Sequence, residues 1–259
     1  MKKRLLLALS VLAVLTAGTG AEALYKVKKT AEAAKPVFQN AAEEKLYRLR
    51  QGEIFTDGGY LKKGVWGTME GVVQAPPDIV WRLFIYANDW KKYGLPDLID
   101  CRAVNEAVLE QVKDTKKVED FYKALGNQVI DPVEHRLSRS QWENDTFQFF
   151  NMPWPVSDKW FVIRNSADET RSAEGIYKTT WEKKAGNIRD LHGELDLEPF
   201  EGNKNATYLR YHVETDPGSA IPRFLIKWGV KRSFPAAMVV IRRESVKLKE
   251  RPAPLLKIQ

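Results

Sequence analysis

Between residues 140 and 215 the sequence runs through five short segments dominated by apolar–polar alternation, a spacing no helix can bury on one side. The runs are 140–150, 159–166, 175–184, 189–197 and 207–215, with turn-forming residues between them. Tyr177, Thr179 and Trp181 alternate with Lys178, Thr180 and Glu182; Leu191, Gly193, Leu195 and Leu197 alternate with His192, Glu194, Asp196 and Glu198. Leu209, Tyr211 and Val213 alternate in the same way with Tyr208, Arg210, His212 and Glu214. A period of two with one polar side predicts an antiparallel sheet covered on one face and wet on the other. One run departs from it: Trp160, Phe161, Val162 and Ile163 are apolar on both sides.

A cover for that sheet follows at once. Asp216-Pro217-Gly218-Ser219 turns the chain. From about residue 220 a long helix presents Ile221, Phe224, Leu225 and Trp228 on one face, then Met238 and Ile241 beyond Pro235. An internal proline removes a backbone hydrogen bond, so a kink or break is expected there. Upstream, residues 39–50 read as a short amphipathic helix stopped by Gly52, and residues 56–60 as a turn. Residues 63–75 read as a strand in which Gly64, Gly67 and Gly71 suggest bends or bulges. Ala75-Pro76-Pro77-Asp78 is a helix start. Ile79, Leu83, Tyr86 and Trp90 then form one apolar face. Residues 98–104 suit another strand, and 106–125 a helix ended by Gly126, with polar residues 113–117 open to the alternative of a hairpin loop. The organisation is α+β: a tail and short helix over 24–59, one domain over 60–247, and a C-terminal tail over 248–259.

A curved sheet wrapped around one helix encloses space, and what fills it depends on the inward side chains. Aromatics make up 11% of the chain and include eight tryptophans, more bulk than a bend packs easily to interior density. The inward positions hold Trp142, Phe149, Tyr177, Trp181, Leu195, Leu209, Tyr211 and Trp228, with Trp90 and Phe224 facing them from the helices. These ten are the candidate lining of a cavity; a solid aromatic core is the other reading of the same rings.

Four motifs then resemble one family. Ala75-Pro76-Pro77-Asp78-Ile79-Val80-Trp81 is similar to the a-p-p-e-x-v-w start of the first helix in the START and polyketide-cyclase-like (SRPBCC) superfamily. Trp154-Pro155-Val156-Ser157-Asp158-Lys159 resembles its w-P-l-s-d-R turn, with lysine for the usual arginine. Gly193-Glu194-Leu195-Asp196-Leu197-Glu198-Pro199 resembles its G-x-w-x-l-x-P strand, and Asp216-Pro217-Gly218-Ser219-Ala220-Ile221-Pro222 its turn into the C-terminal helix. The motifs fall in the family's order over residues 60–247; segment 105–138 is longer and more helical than the pattern. The resemblance implies a helix-grip fold with a hydrophobic tunnel under the C-terminal helix. It further implies a lipid or other hydrophobic small molecule as partner, carried or sensed. A cyclase or hydratase acting on an apolar substrate in the same cavity is the alternative.

Met1-Lys2-Lys3-Arg4, the apolar run 5–17 and Ala21-Glu22-Ala23 form the pattern of a cleaved signal peptide over residues 1–23. The run is short of the ~20 residues a membrane span needs. Periplasmic or secreted localisation is therefore expected. Cleavage takes the formal charge from +7 to +5 through loss of Lys2, Lys3, Arg4 and Glu22. In an exported protein that excess suits transient contact with anionic lipid surfaces, through groups such as Lys227, Lys231 and Arg232, better than nucleic acid. One cysteine and three separated histidines argue against a disulfide framework and a thiolate or histidine metal centre. No nucleophile elbow, phosphate loop or dinucleotide fingerprint occurs. No cofactor, metal or catalytic residue is expected. Strand parity puts His192 and His212 on the wet face, and Cys101 reads as a buried structural thiol.

Overall fold

The computed structural model describes residues 38–130, 135–136, 140–152, 157–218 and 229–250. The chain divides into two units, residues 1–44 and 45–259. The described part of the first, residues 38–44, leads into helix α1 (Ala41–Arg50), which Gly52 ends at φ 80°. The expected signal peptide, residues 1–23, lies outside the described residues, as do residues 219–228 with Phe224 and Trp228.

The alternating segments are strands. In chain order they are β1 (Phe55–Tyr60), β2 (Val65–Val73), β3 (Leu98–Val104), β4 (His135–Arg136), β5 (Gln141–Phe150), β6 (Lys159–Asp168), β7 (Tyr177–Gly186), β8 (Asp190–Phe200) and β9 (Asn203–Asp216). All pairings are antiparallel, in the spatial order β1-β2-β9-β8-β7-β6-β5-β3, with the short β4 also against β5. Consecutive strands from β5 to β9 are neighbours, as a meander requires. Two corrections concern the N-terminal strands. Residues 56–60 are not a turn but belong to β1, paired in register with β2. The glycines of β2 are not bulges either, since β2 pairs with β9 from Val65 to Val73 without a register shift. Gly67 and Gly71 instead let a helix come close. A Cβ on Gly67 would lie 2.7 Å from the Phe234 ring, and one on Gly71 would lie 2.8 Å from Met238 Cε.

That helix is α6 (Phe234–Lys249), preceded by a π-helical turn at Gly229–Ser233. Pro235 sits in its first turn, directly after the π-helical turn, so the helix changes from π to α beside the proline, where a kink or break was expected. Helix α2 (Pro77–Ile85) starts at the Pro76-Pro77 signal and buries Val80, Trp81, Leu83 and Ile85, a face rotated from the one expected through Ile79 and Tyr86. A 3₁₀ turn (Ala87–Asp89) and α3 (Trp90–Tyr93) follow, with Gly94 capping at φ 70°. The main core lies between the inner sheet face and helices α2 and α6, and contains Met69, Val73, Trp81, Leu195, Leu209 and Met238.

The sheet is not wet across its whole outer face. The segment 106–125 forms two helices, α4 (Glu106–Val112) and α5 (Val118–Leu125), broken at the polar stretch 113–117. They close a second core against the other side of β3, β5, β6 and β7, with Phe121, Phe147, Trp160, Val162 and Ala185 in it. The double apolar run of β6 has its explanation here: Phe161 and Ile163 face the main core, Trp160 and Val162 the second. Arg164 on β6 pairs with Asp145 (2.7 Å) and Glu106 (2.8 Å), tying the start of α4 to the strands. Only the centre of the outer face stays polar, where Lys178, Glu182, His192, Glu194, Asp196, Arg210, His212 and Glu214 alternate along β7, β8 and β9.

Candidate functional site

Between the inner sheet face and α6 the side chains do not meet everywhere, and they leave a cavity of about 250 Å³. Its sheet wall comes from alternate residues: Trp142, Asn144, Gln148 and Phe150 on β5, Phe161, Ile163 and Asn165 on β6, Thr179 and Trp181 on β7, Leu191 and Leu195 on β8, Tyr211 on β9 and Met69 on β2. Phe234, Ala237, Val240 and Ile241 close it from α6, and Trp81, Leu83, Phe84 and Ile85 from α2. Trp90, Tyr93, Leu95 and Pro96 bring the loop after α2 to its rim.

The rings hold one another in place. Trp181 stacks on Tyr211 with centroids 5.1 Å apart, and Tyr211 meets Phe234 edge-on at 5.8 Å. Phe150 stacks on Phe161 at 5.8 Å. Trp90 donates its Nε1–H to Leu83 O at 2.5 Å and packs edge-on against Phe84. Trp81 and Trp142 both donate to Glu169 Oε1, at 2.7 and 3.0 Å. Burial pushes the Tyr211 phenol above its ordinary range, so it stays neutral.

Of the ten residues expected from the sequence, Trp90, Trp142, Trp181, Leu195 and Tyr211 line this cavity. Tyr177 and Leu209 are in the surrounding core, Tyr177 stacked on Trp81 at 5.4 Å. Phe224 and Trp228 lie outside the described residues. Phe149 is a correction. β5 pairs with β6 without a shift from Gln141 to Phe150, so Trp142 and Phe149, seven residues apart, must face opposite ways. Phe149 accordingly packs in the second core under α4 and α5. The same parity, counted from Trp142, marks Asn144, Gln148 and Phe150 as lining residues that composition and ring-counting overlook.

The rim carries the charge. Glu244 on α6 is 8% exposed and lines the cavity. Burial alone would lift its carboxyl, but hydrogen bonds from Lys247 Nζ (2.9 Å) and Arg243 Nε (2.6 Å) outweigh it and hold the group below the usual carboxylate range. Arg243 also donates to Tyr93 O, and Ser233 Oγ to Asp97 Oδ2 at 3.4 Å. These two bonds join α6 and the π-helical turn before it to α3 and the loop that follows, in which Asp97 adopts φ 62°. Cys101 is buried; burial and the charge of Asp100 push its thiol well up. His192 and His212 are on the other face, each within 3.3 Å of a Glu214 oxygen. Among the described residues no cluster has the makings of a metal site.

An antiparallel sheet packed against a long C-terminal helix is shared with solved structures. The STAR-related lipid transfer protein of Xanthomonas axonopodis superposes over 74% of this chain and 93% of its own, with a TM-score of 0.51 at 15% identity. The chain has the START-like helix-grip fold. Human STARD10 matches 84% of each chain at a TM-score of 0.50 and 11% identity. At such identities the likeness of the START-like chain to both is one of fold. In sequence, an uncharacterized protein of Pseudomonas aeruginosa is 28% identical over 149 residues, 54% of this chain and 68% of that one. No protein-family profile matches the START-like chain.

Proposed function

We propose that this START-like chain is an exported protein that binds a lipid or other hydrophobic small molecule in the cavity under α6, as a carrier or sensor. The observation that carries the reading is a space of about 250 Å³ left unfilled between aromatic walls under α6. An apolar cavity loses dispersion contacts unless something occupies it, and each buried CH₂ of an occupant stabilises a complex by about 0.8 kcal/mol. The volume is near the small end of the roughly 300–1,000 Å³ of ligand pockets, which suits one slender chain or a small ring system. The lipid-transfer name of the Xanthomonas neighbour agrees with it.

Entry and exit need something to move. The rim loop and α3, with their two bonds to α6 and the π-helical turn, are the gate in this reading. Lys231 and Arg232, exposed on the π-helical turn at the head of α6, supply the positive charge for brief contact with an anionic membrane surface. Export follows from the leader-like residues 1–23.

The test is native mass spectrometry of the chain purified from an exporting host without delipidation. Expected is excess mass lost on denaturation and identified by extraction as a hydrophobic molecule, from a chain starting at Leu24. A bare mass after incubation with mixed lipids would overturn the carrier reading. A bound molecule altered chemically over time would replace it with the enzyme reading.

A further inference from the structure

The apolar wall of the cavity is interrupted by polar side chains spread along β5, β6 and β7. Asn144, Gln148, Asn165 and Thr179 come from three neighbouring strands and all face inward. Asn144 and Gln148 are each 7% exposed and Thr179 9%. Asn165 Nδ2 donates to Asn144 Oδ1 at 2.8 Å and to Thr146 Oγ1 at 3.0 Å, which uses both of its N–H groups. Its Oδ1 and the whole Gln148 amide have no partner among the described residues, although a buried amide costs free energy unless it is paired. Gln148 stands between Phe161 on β6 and Cys101 on β3, which leave its amide unpaired among the described residues.

What this shelf lacks is equally informative. Among the described lining residues no lysine, arginine or histidine occurs, and the one acidic group, Glu244, sits at the rim already paired with Arg243 and Lys247. A carboxylate or phosphate brought to the shelf would lose its water and meet no cation among the described lining residues; an ammonium would meet no anion among them there. A hydroxyl, ketone or ester would meet a donor and an acceptor on Gln148.

We infer that the cavity selects amphiphiles with an uncharged hydrogen-bonding group, such as an alcohol, ketone or ester, and seats that group on the Gln148 amide. The inference rests on the cavity-binding reading above.

It is tested by displacement of the fluorescent probe N-phenyl-1-naphthylamine from the full chain at pH 8. The competitors are decan-1-ol, decan-2-one, decanoate, decylammonium and decane. The alcohol and ketone are expected to compete more than about tenfold better than decanoate, since an ionised group pays desolvation with no partner. In Gln148→Leu, an exchange of similar size, their advantage over decane should fall by about threefold to tenfold, the worth of one hydrogen bond. If that variant fails to fold, the competitor series on the native chain still decides. Decanoate matching decanol overturns the inference and leaves the cavity reading standing, as does an unchanged preference in Gln148→Leu. Decylammonium binding as well as decanol also overturns it, moving recognition to Glu244. No probe binding and no competitor binding would overturn the cavity reading and this one with it.

Discussion

Glu169 holds two indoles on one oxygen. Trp81 and Trp142 are 3% and 4% exposed, and both spend their N–H on Oε1. Glu169→Ala leaves two buried donors unpaired, and denaturant unfolding should show a loss of about 2–6 kcal/mol, at 1–3 for each donor. Glu169→Gln, which keeps an acceptor oxygen, should recover most of it. Gly67 sets a steric limit: a side chain there meets Phe234 before anything else. Gly67→Val should cost about 1–3 kcal/mol by overpacking and weaken probe binding, because Phe234 is a cavity wall. Tyr122 carries a pH signature. Burial first, then the charge and hydrogen bond of Asp100 (3.2 Å), push its phenol up to about 12. A folded pKa above the unfolded ~10 means its contribution is complete below pH 10 and lost as pH rises through 12. Stability measured from pH 9 to 12 should therefore fall less steeply in Tyr122→Phe. These effects depend on partners far away in sequence, so alternation could place Trp142 on the inner face but could not name Glu169 as its acceptor.

At the level of elements, the strands were the legible part. Runs read at 98–104, 140–150 and 159–166 correspond to β3, β5 and β6 within a few residues, because period-two burial writes itself directly into a strand. Turn chemistry misled at 56–60: Asp57-Gly58-Gly59 is a local turn signal, but pairing with β2 overrides it, and Gly59 is needed there because a Cβ would lie 2.9 Å from Trp66 Nε1. The helices α4 and α5 were legible as apolar periodicity but not as a cover for the outer face, since nothing local says which surface a helix meets. The two-sided run of β6 was the one hint. Phe121, fully buried and stacked on Phe147 at 3.6 Å, is the centre of that cover. Phe121→Ala should destabilise by about 3–5 kcal/mol. Because it acts on the opposite face, the variant that remains folded should bind N-phenyl-1-naphthylamine with native affinity, which fluorescence titration checks.

Over the whole molecule, binding and stability are linked. A ligand present at a hundred times its Kd should stabilise the fold by about 2.7 kcal/mol, or roughly 5–10 °C in thermal unfolding for a domain of this size. Scanning calorimetry with decan-1-ol reads it directly; an unchanged midpoint at saturation would mean that the ligand does not prefer the folded state. The sequence by itself determined the class of architecture: alternation demands an antiparallel sheet, and that sheet demands an amphipathic helix to cover it. It also supplied the rings that face inward wherever strand parity was followed, and it failed at Phe149, where parity was not. Tertiary structure alone decided that the rings leave a cavity, that β5 and β6 set amides along its wall, and that a second core closes the other face. Period and propensity act on neighbours along the chain. A void and an unpartnered amide are properties of side chains that meet, or fail to meet, across the fold.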